Sequence, residues 1–285
     1  MPVALLGPDG TFSAQAGYSN ADRRRYDIEP IWCSRISECF NCVLDGSAET
    51  AIVPFVNSTS SAYQVNETLA RLRDYGWDGD IRVRDEEVVP ISLQLAALPG
   101  ASIDGIRYVS SKDKALQQCT HLREILGHEY KPVPADSTAS AAASLAEKGA
   151  LDWAVVVPSR AAALYGLQIL ACDIQDNKSN YTRFHAVGRH DHERTGSDAT
   201  KVMFEYNEVE RAGLLHDTTG ALDGVNMRYL QLLAIDGSLT RLTFFVDLDG
   251  HREDDDIASI LASLEKKDYM KRLAILGSYP VSPDI

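Results

Sequence analysis

The chain has 285 residues, 45% of them hydrophobic and 24% charged, with 28 Lys and Arg against 41 Asp and Glu for a formal net charge of −13. This is the composition of a soluble globular protein with two or three compact units, and its acidity disfavours nucleic acid and anionic membranes, which are bound through clustered basic residues. No apolar run approaches a membrane span, the start from Met1 to Leu6 lacks the flanks of a secretory signal, and five cysteines suit reduced thiols, so a cytoplasmic protein is expected.

Val3-Ala4-Leu5-Leu6 predicts a buried strand ended by the turn Gly7-Pro8-Asp9-Gly10, after which Thr11 or Ser13 caps a helix. Ile36 to Leu44 carries its apolar positions on one helical face. The CxxC within it, Cys39 to Cys42, is expected to serve packing, because no second pair completes a metal site. Ala51 to Phe55, Ile106 to Val109 and Trp153 to Val157 read as further buried strands. Ala115 to Leu122 and Ala139 to Glu147 read as helices. Such alternation implies an α/β architecture with sheets covered by helices, whose ligands sit beyond the carboxyl ends of strands.

Two helix starts offer free N–H groups to an anion, one at Gly10, Thr11 and Phe12, the other at Ser137 and Thr138. Farther along, Asn180-Tyr181-Thr182-Arg183-Phe184 sets a hydroxyl donor beside a permanently charged guanidinium, a pairing suited to an anionic substrate that loses a hydroxyl. Arg189 to Asp198 is a polar linker. His190-Asp191-His192 within it is read as solvated rather than metal-binding, since loop histidines one residue apart lack supporting ligands. From Lys201 the pattern is strand, helix, strand, strand, helix, strand: Val202 to Tyr206, Leu214 to Leu222, Arg228 to Leu233, Thr240 to Val246, Ile257 to Leu264 and Arg272 to Leu276. The acids Glu253 to Asp256 suit the positive end of a helix dipole.

Four segments stand in the order found in one enzyme family. Leu6-Gly7-Pro8-Asp9-Gly10-Thr11-Phe12-Ser13, Asp136 to Ala142, Asn180 to Phe184 and the tail from Phe244 to His251 resemble those of the prephenate dehydratases, as does Leu276-Gly277-Ser278-Tyr279-Pro280. The likeness spans nearly the whole chain. It implies a two-lobed, periplasmic-binding-protein-like catalytic domain over residues 1–189, with lobe 1 at 1–89 and 167–189 and lobe 2 at 90–166. A linker at 190–199 and an α+β ferredoxin-like ACT domain at 200–285 would follow. Such enzymes expel carbon dioxide and the ring hydroxyl from prephenate to give phenylpyruvate, in phenylalanine biosynthesis, without metal or cofactor.

The resemblance places catalysis on Thr182 and Arg183. Substrate contacts are expected from Gly10, Thr11, Asn57, Ser58, Ser111, Lys112, Ser137, Thr138 and Phe184, and an effector contact from Gly213 and Leu214. The implied partners are a small dicarboxylate and further copies of the chain, as a homodimer or tetramer through the ACT domain. Where the family carries a glutamate this chain has Val56, and where it carries a histidine, Lys112; both are expected to make the cleft less negative. The segment from Ser58 to Gln64 lacks an expected glycine, and the second half of the effector motif is replaced near Gln231 to Ala234. Two other readings remain open: a prephenate decarboxylase that does not aromatise its product, and a non-catalytic protein that senses a small acid.

Overall fold

The computed structural model describes residues 1–59, 63–207, 211–234 and 242–282, with backbone alone for 63–65. Ser60 to Ala62, the middle of the Ser58 to Gln64 segment that lacks an expected glycine, and Thr240 in the third strand of the last unit lie outside the described residues. The first unit is β1 (Pro2–Leu6), α1 (Phe12–Arg24), β2 (Glu29–Cys33), α2 (Ile36–Leu44), β3 (Thr50–Asn57), α3 (Tyr63–Gly76) and β4 (Arg82–Pro90). The second is β5 (Gln94–Ala97), β6 (Tyr108–Ser111), α4 (Asp113–Gln117), α5 (Leu122–Leu126), β7 (Lys131–Pro134), α6 (Thr138–Lys148), β8 (Trp153–Val157), α7 (Ser159–Leu164) and β9 (Gln168–Ala171). β10 (Tyr181–Gly188) returns to the first sheet. The chain then forms β11 (Asp198–Tyr206), α8 (Leu214–Ala221), β12 (Met227–Ala234), β13 (Leu242–Asp249), α9 (Asp255–Glu265) and β14 (Met270–Pro280).

The first sheet has the order β2-β1-β3-β10-β4, with β1 to β3 parallel and β10 antiparallel to both its neighbours. Strand alternation divides its residues between two cores. Val3 and Leu5 pack with Ala16, Phe184 and Ala186 on the α1 side, whereas Ala4 joins Ile36, Phe40 and Val53 on the α2 and α3 side. The second sheet, β7-β6-β8-β5-β9, buries Val109, Ala154 and Val156 on one face and Val155 and Val157 on the other. β9 pairs with β5, so the return to lobe 1 falls between Ala171 and Tyr181 and not at 167. The helix expected over Ala115 to Leu122 is broken between α4 and α5. There the crossing segment intrudes: Asp176 N donates to Gln118 O at 2.7 Å, and Thr120 N donates to Asp176 Oδ1 at 2.9 Å.

The third sheet, β12-β13-β11-β14, and its βαββαβ connectivity make a ferredoxin-like sandwich. One face, with Phe204, Phe244, Val246 and Leu248, is covered by Leu214, Ile257, Leu261 and Leu264 of α8 and α9. The other face sends Met203, Phe245, Leu276 and Tyr279 into the lobe 1 core beside Phe55, Leu69, Ile81 and Val83. β14 passes so close to β4 that a Cβ on Gly277, whose φ is +136°, would stand 2.2 Å from the Val83 carbonyl oxygen. β11 begins at Asp198, inside the expected linker. The acids at 254–256 do start α9, with Asp254 as N-cap. The cysteines are free, Cys39 is buried against α2's core, and among the described residues no group of side chains is placed to hold a metal. Nor is any described helix long and apolar enough to cross a membrane.

Candidate active site between the lobes

A cavity of about 730 Å³ opens between the first two sheets. It lies at the carboxyl ends of β1, β2, β6 and β7, where parallel strands hand over to helices. Three helices of nine or more residues begin at its wall: α1 at Phe12 and Ser13, α2 at Arg35 and Ile36, and α6 at Ser137 and Thr138. The first N–H groups of each helix have no intrahelical acceptor and carry the positive end of its dipole, so the wall is prepared for anions despite the acidic chain. Arg35, Lys112 and Lys114 add cationic side chains, while Glu67 and Asp136 are its acids. Burial and the neighbouring charge of Lys112 lower the Lys114 pKa from its usual value.

Thr182, Phe184, Asn57 and Asn180 line the first-lobe wall. Asn57 Nδ2 donates to Thr182 Oγ1 at 2.9 Å and also reaches Asn180 Oδ1 at 2.8 Å and Tyr181 O at 2.9 Å. Thr182 Oγ1 is thereby used as an acceptor, and its own proton is not committed to any described residue. The ladder here is irregular. Thr182 pairs with Asn57 and Arg183 with Val56, but Phe184 pairs with Pro54, leaving Phe55 as an extra residue on β3. Pro54 has no N–H for the ladder, and a bulge is where a strand tolerates that loss.

Several expected site residues take other roles. Gly10 N donates to Asp9 Oδ1 at 2.6 Å rather than to a ligand; its φ of +84° and the 3.1 Å from an added Cβ to Ala161 Cα explain the glycine. Thr11 lines the cavity, yet its hydroxyl caps Ala14 N and donates to Leu6 O, each at 3.2 Å. Ser58 accepts from Tyr181 N at 2.9 Å and donates to Ser179 O at 3.2 Å, which pins strand ends outside the cavity wall. Ser111 is fully buried and donates to Val156 O at 2.5 Å. Ser137 lines the wall while its Oγ accepts from Ser140 N in a capping box. Gly213 N-caps α8 at φ +85°, and Leu214 is buried under that helix, both in the third unit. Arg35 and Lys114 were missed by sequence reasoning, although each sits one residue before a helix it had located, and Asn180 was quoted in its pentapeptide without a role.

The largest correction concerns Arg183 and Val56. Both face away from the cavity, because neighbours along a strand point to opposite sides of the sheet. Val56 packs on the core shared with the third sheet, so its loss of a carboxylate does not alter the cleft. Arg183 Nε lies 3.5 Å from Glu86 Oε2, whose other oxygen is 3.5 Å from Arg228 Nη2 on β12. Burial raises the Glu86 pKa, and the two arginines pull it back. Close by, Lys201 is paired with Asp247, both fully buried, and burial lowers the lysine's pKa against the pull of that carboxylate. His185 is completely buried, and desolvation, reinforced by the charges of Lys201 and Arg183, holds it neutral.

Comparison with known proteins gives the cleft a family. The chain matches the prephenate dehydratase family over residues 3–192. It is 32% identical over 281 residues to the bifunctional chorismate mutase/prephenate dehydratase of Aquifex aeolicus (strain VF5), covering 98% of this chain and 73% of that one. The crystal structure of prephenate dehydratase from Arthrobacter aurescens in complex with L-Phe superposes with a TM-score of 0.84 at 30% identity, covering 100% of this chain and 92% of that one. GqqA, described as a novel type of quorum quenching acylase, superposes with a TM-score of 0.83 at 27% identity, covering 99% and 98%. With family match, identity and fold in agreement, the chain belongs to the prephenate dehydratase family.

Proposed function

We propose that this chain, a carbon–oxygen lyase of the prephenate dehydratase type, converts prephenate to phenylpyruvate in phenylalanine biosynthesis with Thr182 as the donor to the departing hydroxyl. The observation that supports it is the Asn57-to-Thr182 hydrogen bond of 2.9 Å, which occupies the threonine oxygen as acceptor and leaves its proton for a ligand. In the reaction the bond from the ring to its carboxylate breaks, its electron pair moves through the dienes, and the carbon–oxygen bond opposite breaks. Carbon dioxide and water leave, and solvent supplies the one proton that completes the water. Threonine is too weak an acid to lose its proton outright, so its contribution is a positioned hydrogen bond that strengthens as the hydroxyl gains charge. Phe12, Ile36 and Phe184 supply apolar wall for the ring, and the N-termini of α1 and α6 hold carboxylate.

The ferredoxin-like unit is read as an ACT domain that joins copies of the chain, with the catalytic lobes at 1–189 and the enzyme in the cytoplasm. Val56 lies behind the sheet, so the residue that replaces the family's glutamate lends no support to the reading as a non-aromatising decarboxylase. The test is an ultraviolet assay for phenylpyruvate with purified protein and prephenate. Thr182→Val should lower kcat by about 10²- to 10⁴-fold with a much smaller change in KM. Normal turnover by the folded variant would overturn the assignment.

A further inference from the structure

We propose that Lys112 and Lys114 together dock the carboxylate that prephenate retains, and that this pair makes the enzyme select the keto acid over arogenate, its amino-acid counterpart. The inference rests on the cleft being a prephenate site and adds the orientation of the substrate within it.

Both lysines line the same cavity, two residues apart across the start of α4 on the second lobe. The Lys112 carbonyl accepts from Ala115 N and Leu116 N, but neither ammonium makes a hydrogen bond or ion pair with a described residue. Glu67 and Asp136 share the cavity without forming an ion pair with either lysine, so the two like charges repel each other and an anion between them relieves the repulsion.

Prephenate has two carboxylates, and they differ in fate. The one on the ring must leave as neutral carbon dioxide, so its charge flows into the ring as the transition state forms. A cation held against it would stabilise the ground state more than the transition state and slow the reaction. The pyruvyl carboxylate keeps its charge throughout, so cations there bind without that penalty. The leaving hydroxyl is para to the ring carbon that bears the pyruvyl group. A substrate whose hydroxyl meets Thr182 on the first lobe therefore directs that carbon, with both its pyruvyl group and its ring carboxylate, across the cleft toward the second lobe, and the difference in charge fate assigns the lysines to the pyruvyl carboxylate. In arogenate an ammonium replaces the keto oxygen next to that same carboxylate, and the lysine pair opposes it.

The experiment is steady-state kinetics on both substrates for the parent, Lys112→Gln, Lys114→Gln and the double variant, with thermal melts to confirm folding. The parent should prefer prephenate by about tenfold or more in kcat/KM. The double variant should raise the KM for prephenate by about tenfold with kcat within about threefold, and should narrow the preference. A parent that uses arogenate as well as prephenate, or a double variant that loses efficiency equally on both, overturns the selection. A KM for prephenate insensitive to both lysines overturns the docking, while the reading as a dehydratase stands. A parent that dehydrates neither substrate would overturn that reading and this one with it.

Discussion

Arg183→Met separates a residue that touches substrate from one that supports the sheet behind it. Glu86 is 1% exposed and Arg183 23%, so truncating the arginine strips a buried carboxylate of one of two cationic neighbours. Breaking a buried ion pair costs about 3–5 kcal/mol. Arg228 remains, and the 3.5 Å contact is longer than a direct charge-assisted hydrogen bond, so about 2 kcal/mol is the expected loss here. At roughly 2.1 cal/mol/K per residue, the 285 residues unfold with an entropy of about 600 cal/mol/K, and Tm should fall by about 3 °C.

The deficit has a definite pH dependence. Burial lifts the Glu86 pKa above its ordinary 4.5, so its contribution is fully present below that value and lost as pH rises through the folded pKa. Removing Arg183 lifts the folded pKa further, and the variant's deficit should be larger at about pH 8 than at about pH 5. Scanning fluorimetry at the two pH values measures this, and the prephenate assay should show KM within about threefold of the parent. A KM raised more than about tenfold at unchanged Tm would put Arg183 on the substrate and refute the face assignment.

Asp247→Asn leaves the ammonium of Lys201, buried to 0% exposure, without its carboxylate and should cost about 3–5 kcal/mol in chemical denaturation. Because burial depresses the Lys201 pKa, stability recovers as pH climbs through the folded value toward 10.5, so the gap from the parent should narrow in that direction; a gap constant with pH would contradict the account. Phenylalanine should neither inhibit the enzyme nor raise its Tm, since Leu214 is buried beneath α8 and the motif near Gln231 to Ala234 is replaced. A saturable thermal shift accompanied by inhibition would show that Gly213 and Leu214 still serve an effector.

What the sequence made legible is local: strand ends, glycine turns and capping residues. Thr11 and Ser137 do cap α1 and α6, and the six elements after Lys201 occur in the expected order. What it hid depends on pairing between distant segments. The break between α4 and α5 comes from Asp176, more than fifty residues downstream, and β9 joins the second sheet because β5 accepts it there. Motif proximity was misleading at Thr182 and Arg183, where strand periodicity alone separates the two side chains onto opposite faces.

The bulge does not rescue their adjacency. Its extra residue is Phe55, on β3, so β10 keeps its alternation: Thr182 and Phe184 toward the cavity, Arg183 and His185 toward the ferredoxin-like sheet. One short strand therefore carries the proposed donor on one face and part of the third unit's docking surface on the other. The same geometry explains why Val56 and Lys112 cannot act as a joint retuning of the cleft, since only Lys112 reaches it. A charge change at Val56 would meet Arg183 and the shared core, and its effect belongs to stability, whereas the charges that a substrate meets are set on the second lobe at Lys112 and Lys114.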